Sequence, residues 1–369
     1  MTDLPLTSDD RRYLERAAAL GRRGWGGVHP NPLVGCVLVK DGEVVAEGWH
    51  EEFGGPHAEI RALERAGPRA AGATAYVSLE PCRHEGKTPA CTLALLRSGV
   101  SRVVFGASDP GAESGGGATE LAAGGAEVVG PVFDDQRAWS ENPAFHHWHR
   151  HGTPHVAVKL ALSLDGAVAA RPGERTRLTG PEAQQEVHRL RAGFDAVLVG
   201  SNTARVDDPL LTVRDVPLRR PAPIRIVLDS GATLPSGAAL LRDAADVPVW
   251  VFCREDADEV EMERLESAGA RVHPVPAARA GPGVSLEAVL ERCGATGVRS
   301  ILCEGGGVVA SRLLAREMAR RLYLLVAPTV LGVGAVPAFP GVPAGTRWHL
   351  ASDPVRCGDD ILLTLDRRG

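Results

Sequence analysis

Pro56-His57-Ala58-Glu59, followed by Leu79-Glu80-Pro81-Cys82 and then by Cys91, is the stretch on which the reading of the fold turns. One imidazole and two thiolates can hold a zinc ion at three of its four tetrahedral positions, leaving the fourth for water. Zinc bound in that way brings the pKa of the water toward neutrality. Residues 57–64 read as a helix, which sets Glu59 on the same turn as His57, near enough to move a proton without being a ligand. Residues 75–79 read as a strand and 88–96 as a helix, so Cys82 and Cys91 bracket a second helix start. That arrangement aims three donors at one point and leaves one side open. Two blander readings stand beside it. A closed structural site could take His84 as a fourth ligand, and isolated cysteines are most often small core residues. Cys36, Cys253, Cys293, Cys303 and Cys357 lack such spacing and read as core.

Outward from the metal pattern, Ser8, Asp9 and Asp10 read as a helix start, with Tyr13, Leu14, Ala17 and Ala18 at helical spacing. The apolar runs 33–39 and 44–46 are parted by Lys40-Asp41-Gly42, a hairpin signal because Asp-Gly tolerates positive φ. Strands are expected at 100–105 and 128–129, a glycine-rich loop at 111–117 and a short helix at 119–123. Alternating strands and helices imply a layered α/β sandwich.

Between residues 131 and 153 the pattern weakens, which divides the chain into domains at 1–152 and 153–369. His146, His147, His149, His151 and His155 cluster there, either as a second metal site or, the preferred reading, as solvated histidines on a linker without fixed geometry. Beyond it, strands are expected at 156–160, 196–199, 224–228, 247–251, 300–303, 322–326 and 361–365. Helices fit 181–191, 256–268, 286–292 and 308–317, with Pro181 suited to a first helical position. These make one α/β domain. Gly305, Gly306 and Gly307 lie between a strand and a helix, where a missing Cβ and free helix N–H groups suit an anion, though a tight turn alone would also use them.

A length of 369 residues exceeds what one core serves, and 44% hydrophobic with 24% charged residues excludes global disorder. The formal charge of −5 argues against a broad nucleic-acid surface while allowing a local phosphate pocket. Asp3, Asp9, Asp10, Arg11, Arg12 and Glu15 are foreign to an export signal, and no uninterrupted apolar stretch approaches the ~18 residues of a span. Seven cysteines, an odd number, point away from a disulfide framework and toward a reducing cytoplasm.

The His-x-Glu … Pro-Cys pattern is that of the zinc base deaminases, but eight residues part the cysteines here instead of two. Together with His29-Pro-Asn-Pro-Leu-Val-Gly35, Gly48-Trp-His50 and the run Leu79-Glu-Pro-Cys-Arg-His-Glu-Gly-Lys-Thr-Pro-Ala-Cys91, it resembles the pyrimidine deaminase domain of the bifunctional riboflavin-biosynthesis deaminase/reductase family. The long insertion carrying His84 and Lys87 matches that family and not the cytidine or transfer-RNA deaminases. The resemblance implies a cytidine-deaminase-like α/β/α sandwich with zinc on His57, Cys82 and Cys91, and with Glu59 as the catalytic proton carrier. It also implies Asn31, His50 and His84 against the pyrimidine, and Lys87 and Asp109 toward the ribose phosphate. Asn31 has a donor and an acceptor for a ring edge. Gly111 stands where the family usually has Asn.

Val156-Ala-Val-Lys159, Ser163-Leu-Asp-Gly166, the run 200–214 from Gly200 through Thr203 and Asp207 to Arg214, residues 225–230, and Glu304-Gly-Gly-Gly307 resemble the reductase domain of the same family. The implied fold is a dihydrofolate-reductase-like α/β domain, and the implied chemistry is hydride transfer from NADPH to C1 of a ribosyl group, opening it to a ribityl chain. By the same resemblance Lys159, Asp207 and Glu304 orient substrate or manage protons, and Arg191, Leu211 and Arg214 hold the substrate and its terminal phosphate. Ala161, Arg177, Thr203, Asp207, Ser230, Gly306 and Gly307 fall to the cofactor. Ala167 stands where the family usually has Lys or Arg, and Arg175-Thr-Arg177 replaces Ser-x-Trp. Two other readings remain: a paralogue with an altered or lost reductase, and a non-catalytic nucleotide-binding module with structural zinc. The expected partner is a pyrimidine ribosyl phosphate, with no nucleic acid and no membrane, and with homo-oligomer formation left open.

Overall fold

The computed structural model describes residues 6–84, 90–279 and 281–367. The chain forms two compact units, one ending at His151 and one beginning at Gly152.

The first unit opens with α1 (Ser8–Gly21). Its cap is Thr7 and not Ser8: Thr7 Oγ1 accepts from Asp10 N at 3.1 Å, and Asp10 Oδ2 accepts from Thr7 N at 2.9 Å. This reciprocal pair satisfies two amides that the helix leaves over, so Ser8 becomes the first helical residue. Strands β1 (Gly35–Lys40) and β2 (Glu43–Trp49) form the expected hairpin, with Asp41 at φ 51° and Gly42 at φ 81°. Then follow α2 (Ala58–Ala66), β3 (Thr74–Leu79), α3 (Cys91–Arg97), β4 (Arg102–Ala107), α4 (Gly117–Ala123) and β5 (Glu127–Val129). Of the helix expected at 88–96, the portion before Ala90 lies outside the described residues, and α3 starts only at Cys91.

The sheet order is β2-β1-β3-β4-β5, antiparallel around β1 and parallel from β3 onward. Alternate residues of β1 enter opposite faces, as strand geometry requires. Cys36 and Leu38 pack with Ala58, Ala62 and Leu95, whereas Val37 and Val39 pack with Leu14 and Ala17 of α1. The result is an α/β/α sandwich.

The stretch without a clear pattern is helical: α5 (Asp135–Glu141), capped by Asp134 on Arg137 N at 2.7 Å, and α6 (Pro143–His151). The reading of these histidines as solvated linker residues is therefore corrected. His146 and His147 are buried within α6, and His155 is buried at the start of the next strand, while His149 and His151 are exposed. Their rings, not aliphatic side chains, form the buried stripe, which hides the helical period from a hydropathy reading. Among the described residues they do not converge as metal donors.

The second unit contains β6 (His155–Leu162), β7 (Ala167–Ala169), α7 (Pro181–Ala192), β8 (Ala196–Gly200), α8 (Ser201–Asp207), β9 (Ile224–Leu228), β10 (Val249–Arg254), α9 (Glu259–Ser267) and β11 (Arg271–Val275). It continues with α10 (Leu286–Ala295), β12 (Ser300–Cys303), α11 (Gly307–Ala315), β13 (Ala319–Val326), β14 (Val336–Pro337), β15 (Trp348–Leu350), β16 (Val355–Cys357) and β17 (Asp360–Arg367). The large sheet runs β11-β10-β9-β8-β12-β6-β13-β17-β15, parallel as far as β13, with β17 antiparallel to β13, β15 and β16. Pro181 opens α7 as expected. The helix expected from 256 starts at Glu259, because Asp258 turns its carboxylate onto Val260 N at 2.9 Å. Strand β11 escapes the sequence reading because it is half exposed and contains Pro274, and β14 to β16 are too short to show a period.

Parallel strands bring their carboxyl ends to one edge, where ligands of α/β sheets bind. Lys159 on β6, the start of α8 after β8, and Gly306 after β12 meet there. Among the described residues, no helix is long and apolar enough to cross a membrane.

Candidate active sites

His57 caps α2 in an extended conformation, Cys91 is the first residue of α3, and Cys82 follows the end of β3. These three elements put His57 Nδ1 at 3.3 Å from Cys91 Sγ and 3.5 Å from Cys82 Sγ. Tetrahedral zinc bonds of about 2.3 Å to sulfur and about 2.0 Å to nitrogen separate N from S by about 3.5 Å, so the donor set fits the ion. Among the described residues this is the one His/Cys/Asp/Glu group that converges as metal donors. His84 is not in it; it is exposed and lines the pocket, so the closed four-ligand site is not what the fold builds. A close approach keeps the Cys82 segment in place: a Cβ on Gly117 would stand 1.9 Å from Pro81 O.

The donors sit at one side of a cavity of about 280 Å³ that Asn31, His50, Glu59, His84 and Asp109 also line. Glu59 is 3% exposed, and burial, reinforced by the charge of Cys82, pushes its carboxyl up to about 7. A hydrogen bond with Cys91, and another with His57, hold the Cys82 thiol below its usual range. Thiolate character at Cys82 is what metal ligation requires.

His50 is buried, and that burial pushes its imidazole below the usual range. Its Nδ1 lies 3.1 Å from Pro56 O, an atom that can only accept, so the ring proton belongs on Nδ1. Nε2 is then an acceptor, and the atom facing it at 3.2 Å must be the donating Asn31 Nδ2. Asn31 Oδ1 is left as the acceptor offered to a ligand. Opposite, Glu80 takes two amides with its carboxylate, Asp109 N at 3.1 Å and Ala118 N at 2.9 Å. Asp109 Oδ1 accepts from Gly111 N at 2.8 Å, and burial pushes its carboxyl up.

The second unit holds a cavity of about 890 Å³. Arg191 donates from Nε to Glu304 Oε1 at 2.6 Å, from Nη2 to Oε2 at 3.0 Å, and from Nη1 to Thr212 O at 3.0 Å. Lys159 lines the cavity near this pair, and burial pushes its ammonium down while the Glu304 charge opposes that shift. Thr203 Oγ1 accepts from Gly306 N at 3.1 Å, which ties α8 to the turn before α11. Arg171, Arg175, Arg177 and Arg214 stand exposed around the opening.

Two family models match the chain. "Cytidine and deoxycytidylate deaminase zinc-binding region" covers residues 7–107, and "RibD C-terminal domain" covers residues 154–363. Riboflavin biosynthesis protein RibD of Escherichia coli is 37% identical over 338 residues, covering 88% of this chain and 89% of the relative. That of Aquifex aeolicus is 37% identical over 327 residues, covering 88% of each. The chain belongs to the RibD family. It is a bifunctional deaminase and reductase of riboflavin biosynthesis.

Solved RibD structures share the architecture. Acinetobacter baumannii RibD superposes with a TM-score of 0.81 at 33% identity, covering 98% of this chain and 99% of the other. A diaminohydroxyphosphoribosylaminopyrimidine deaminase/5-amino-6-(5-phosphoribosylamino)uracil reductase from Thermotoga maritima gives a TM-score of 0.79 at 31% identity, covering 97% and 99%.

Within this RibD chain, Asn31, His50, His57, Glu59, Cys82, His84 and Asp109 line the first cavity, with Cys91 fully buried behind them. Lys87 lies outside the described residues. Lys159, Ala161, Arg177, Arg191, Thr203 and Asp207 line the second, as do Leu211, Arg214, Glu304, Gly306 and Gly307. Ser230 does not; it follows β9, and its carbonyl takes Arg254 N. Arg191 lines this cavity while donating to Glu304 and Thr212 O, which uses three of its five N–H donors. Sequence reasoning missed Glu80, Phe145 and His188, all of which line a cavity. Glu80 sits inside the quoted Leu-Glu-Pro-Cys run, where a carboxylate one residue before Pro-Cys was the available signal.

Proposed function

We propose that the first unit, residues 1–152, removes the 2-amino group of 2,5-diamino-6-(5-phosphoribosylamino)pyrimidin-4-one, and that the second, residues 153–369, reduces the ribosyl group of the product with NADPH. The observation that carries the reading is the convergence of His57 Nδ1 and the Cys82 and Cys91 sulfurs beside a buried Glu59. Zinc bound by these residues supplies Lewis acidity, so that water can give up a proton near neutral pH. Glu59 takes that proton and returns it to the departing nitrogen as ammonia leaves and a carbonyl forms on the ring. Burial suits Glu59 to this shuttle, since a carboxyl that titrates near 7 both accepts and releases. Asn31 Oδ1 receives a ring N–H, held in that orientation by His50. His84 contacts the ring from the exposed side, and Asp109, with Lys87, takes the ribose phosphate end.

In the second cavity NADPH supplies the hydride. Lys159 would give a proton to the ring oxygen that leaves C1 when the ribosyl group is reduced and opened. Glu304 orients Lys159 and the sugar hydroxyls, and Arg191 holds Glu304 rather than the phosphate. Arg214, exposed at the wall beside Leu211, takes the phosphate. Asp207, Thr203, Ala161, Arg177, Gly306 and Gly307 contact cofactor. Residence in the cytoplasm and action without nucleic acid belong to the same proposal, supported by the acidic balance and the seven cysteines without a disulfide partner.

The test supplies purified protein with the diaminopyrimidinone ribosyl phosphate and follows ammonia and NADPH absorbance separately. Both signals are expected, ammonia first. Ammonia without NADPH loss overturns the reductase half, and silence in both channels overturns the substrate.

A further inference from the structure

Arg214 ends a segment, residues 208–214, that passes twice through the left-handed region without glycine: Asp208 has φ 40° and Leu211 has φ 55°. Such a path persists only where its surroundings fix it. Asp208 Oδ1 accepts from Ala239 N at 2.7 Å, Leu210 O accepts from the fully buried Arg225 at 3.3 Å, and Thr212 O accepts from Arg191. The remaining anchor is His188 on α7, whose Nδ1 accepts the backbone N–H of Arg214 at 3.2 Å.

Hydrogen-bond accounting fixes the state of that ring. Thr212 O also lies 3.1 Å from His188 Nδ1 and could accept from it beside Arg191, but the Arg214 N–H, whose direction the backbone fixes, points at the same nitrogen and leaves no room for a proton there. The Arg214 N–H has no other acceptor among the described residues. Nδ1 is therefore bare, and the ring proton sits on Nε2. Burial, with the nearby charges of Arg191 and Arg214, holds the imidazole below its usual range, so the ring is neutral at pH 7. Nε2–H has no protein partner among the described residues, and His188 forms part of the cavity wall.

We propose that His188 is a further substrate-binding residue of the reductase site, its Nε2–H donating to an oxygen of the phosphate group whose charge Arg214 neutralises. This rests on the placement of the ribosyl phosphate in the second cavity. The two residues divide the work. Arg214 brings charge on a long, exposed side chain, whereas His188 brings a fixed direction without a second charge beside Arg191. A phosphate on Nε2–H also strengthens the bond from Nδ1 to the Arg214 amide, since donors and acceptors in a chain polarise one another. Substrate thereby tightens the segment that carries its own arginine.

The experiment supplies the deaminated ribosyl phosphate, and separately the same compound without its phosphate, to wild type, His188→Leu and His188→Gln, following NADPH absorbance. His188→Leu is expected to raise KM for the phosphorylated compound about tenfold or more, the scale of a hydrogen bond to a charged group. KM for NADPH and for the dephosphorylated compound stay unchanged. His188→Gln, whose amide both accepts and donates, restores most of the loss and keeps the test decisive if the leucine variant folds poorly. An equal rise for both compounds in His188→Gln, or no rise in His188→Leu, overturns the proposal. A wild-type chain that reduces the two compounds equally well overturns instead the phosphate at Arg214, which is seen without any variant.

Discussion

Arg191 and Glu304 meet in a two-point contact, Nε to Oε1 at 2.6 Å and Nη2 to Oε2 at 3.0 Å, with only 11% and 9% of the two side chains exposed. Burial alone would raise the Glu304 carboxyl; Arg191, and then Lys159, reverse that and hold it below the usual range. The pair is a fork against a fork, a geometry that a point charge cannot reproduce. Arg191→Lys is therefore expected to lower the reductase kcat about tenfold, one lost charge-assisted hydrogen bond, with KM for NADPH unchanged. Arg191→Ala leaves the buried carboxylate with Lys159 as its nearby positive charge but without its two hydrogen bonds, and should cost about 3 kcal/mol of stability, read by denaturant unfolding.

With Lys159 as the proposed proton donor, the reductase is expected to carry a pH signature. Burial pushes the ammonium down and Arg191 adds to that, against Glu304. If the protonated form donates, as proposed, kcat/KM for NADPH oxidation is expected to fall as pH rises through a pKa below that of an ordinary lysine. Lys159→Met should remove that alkaline limb; a limb unchanged in the variant rules Lys159 out as its source.

Glu59→Gln keeps His57, Cys82 and Cys91 and should keep zinc at one ion per chain by elemental analysis. Ammonia release is expected to fall by about 10²–10⁴, the usual worth of a positioned proton carrier. Loss of the metal in this variant would assign Glu59 to ligation.

Asn31 is set by a chain that starts at Pro56 O and passes through His50. Asn31→Asp replaces the amide donor with an oxygen facing the bare His50 Nε2, two acceptors at hydrogen-bond distance. Deaminase KM should rise about tenfold for the lost bond and misplaced acceptor, with a smaller change in kcat. For wild type the same relay predicts a rise in KM on acidification, beginning below the usual imidazole range because burial lowers the His50 pKa.

Asp10 ties the first helix to the sheet through Thr7, Tyr76 and Arg102. Burial opposes its charge, but the bonds from Arg102, Thr7 and Tyr76 prevail and hold the carboxyl well below its usual range. Its stabilisation is thus present above the unfolded pKa of about 4 and fades as pH falls below that. Asp10→Asn should cost about 2 kcal/mol at pH 7, from a lost ion pair with Arg102 and a weakened cap. The gap between variant and wild type should narrow on acid titration.

The α/β class, the hairpin at Asp41-Gly42 and the metal donors were legible because each depends on residues near in sequence or on a ligand set of fixed chemistry. The second cavity was legible through motif runs at strand ends. Helix α6 was not, since its buried face is made of histidine and tryptophan-flanked rings that hydropathy scores as polar. The fate of Arg191 was also hidden. Whether a guanidinium meets a phosphate or the Glu304 carboxylate is decided by a contact across 113 positions, which no local pattern carries. His188 escaped for a related reason: its tautomer depends on an amide 26 residues away.

Glu80 binds Asp109 N and Ala118 N with a single carboxylate, directly ahead of Pro81 and Cys82. The strand end that leads into Cys82, the loop at Asp109 and the start of α4 consequently share one fastening. Both donors are backbone N–H groups, so the side chain at 109 can change while Glu80 keeps that fastening.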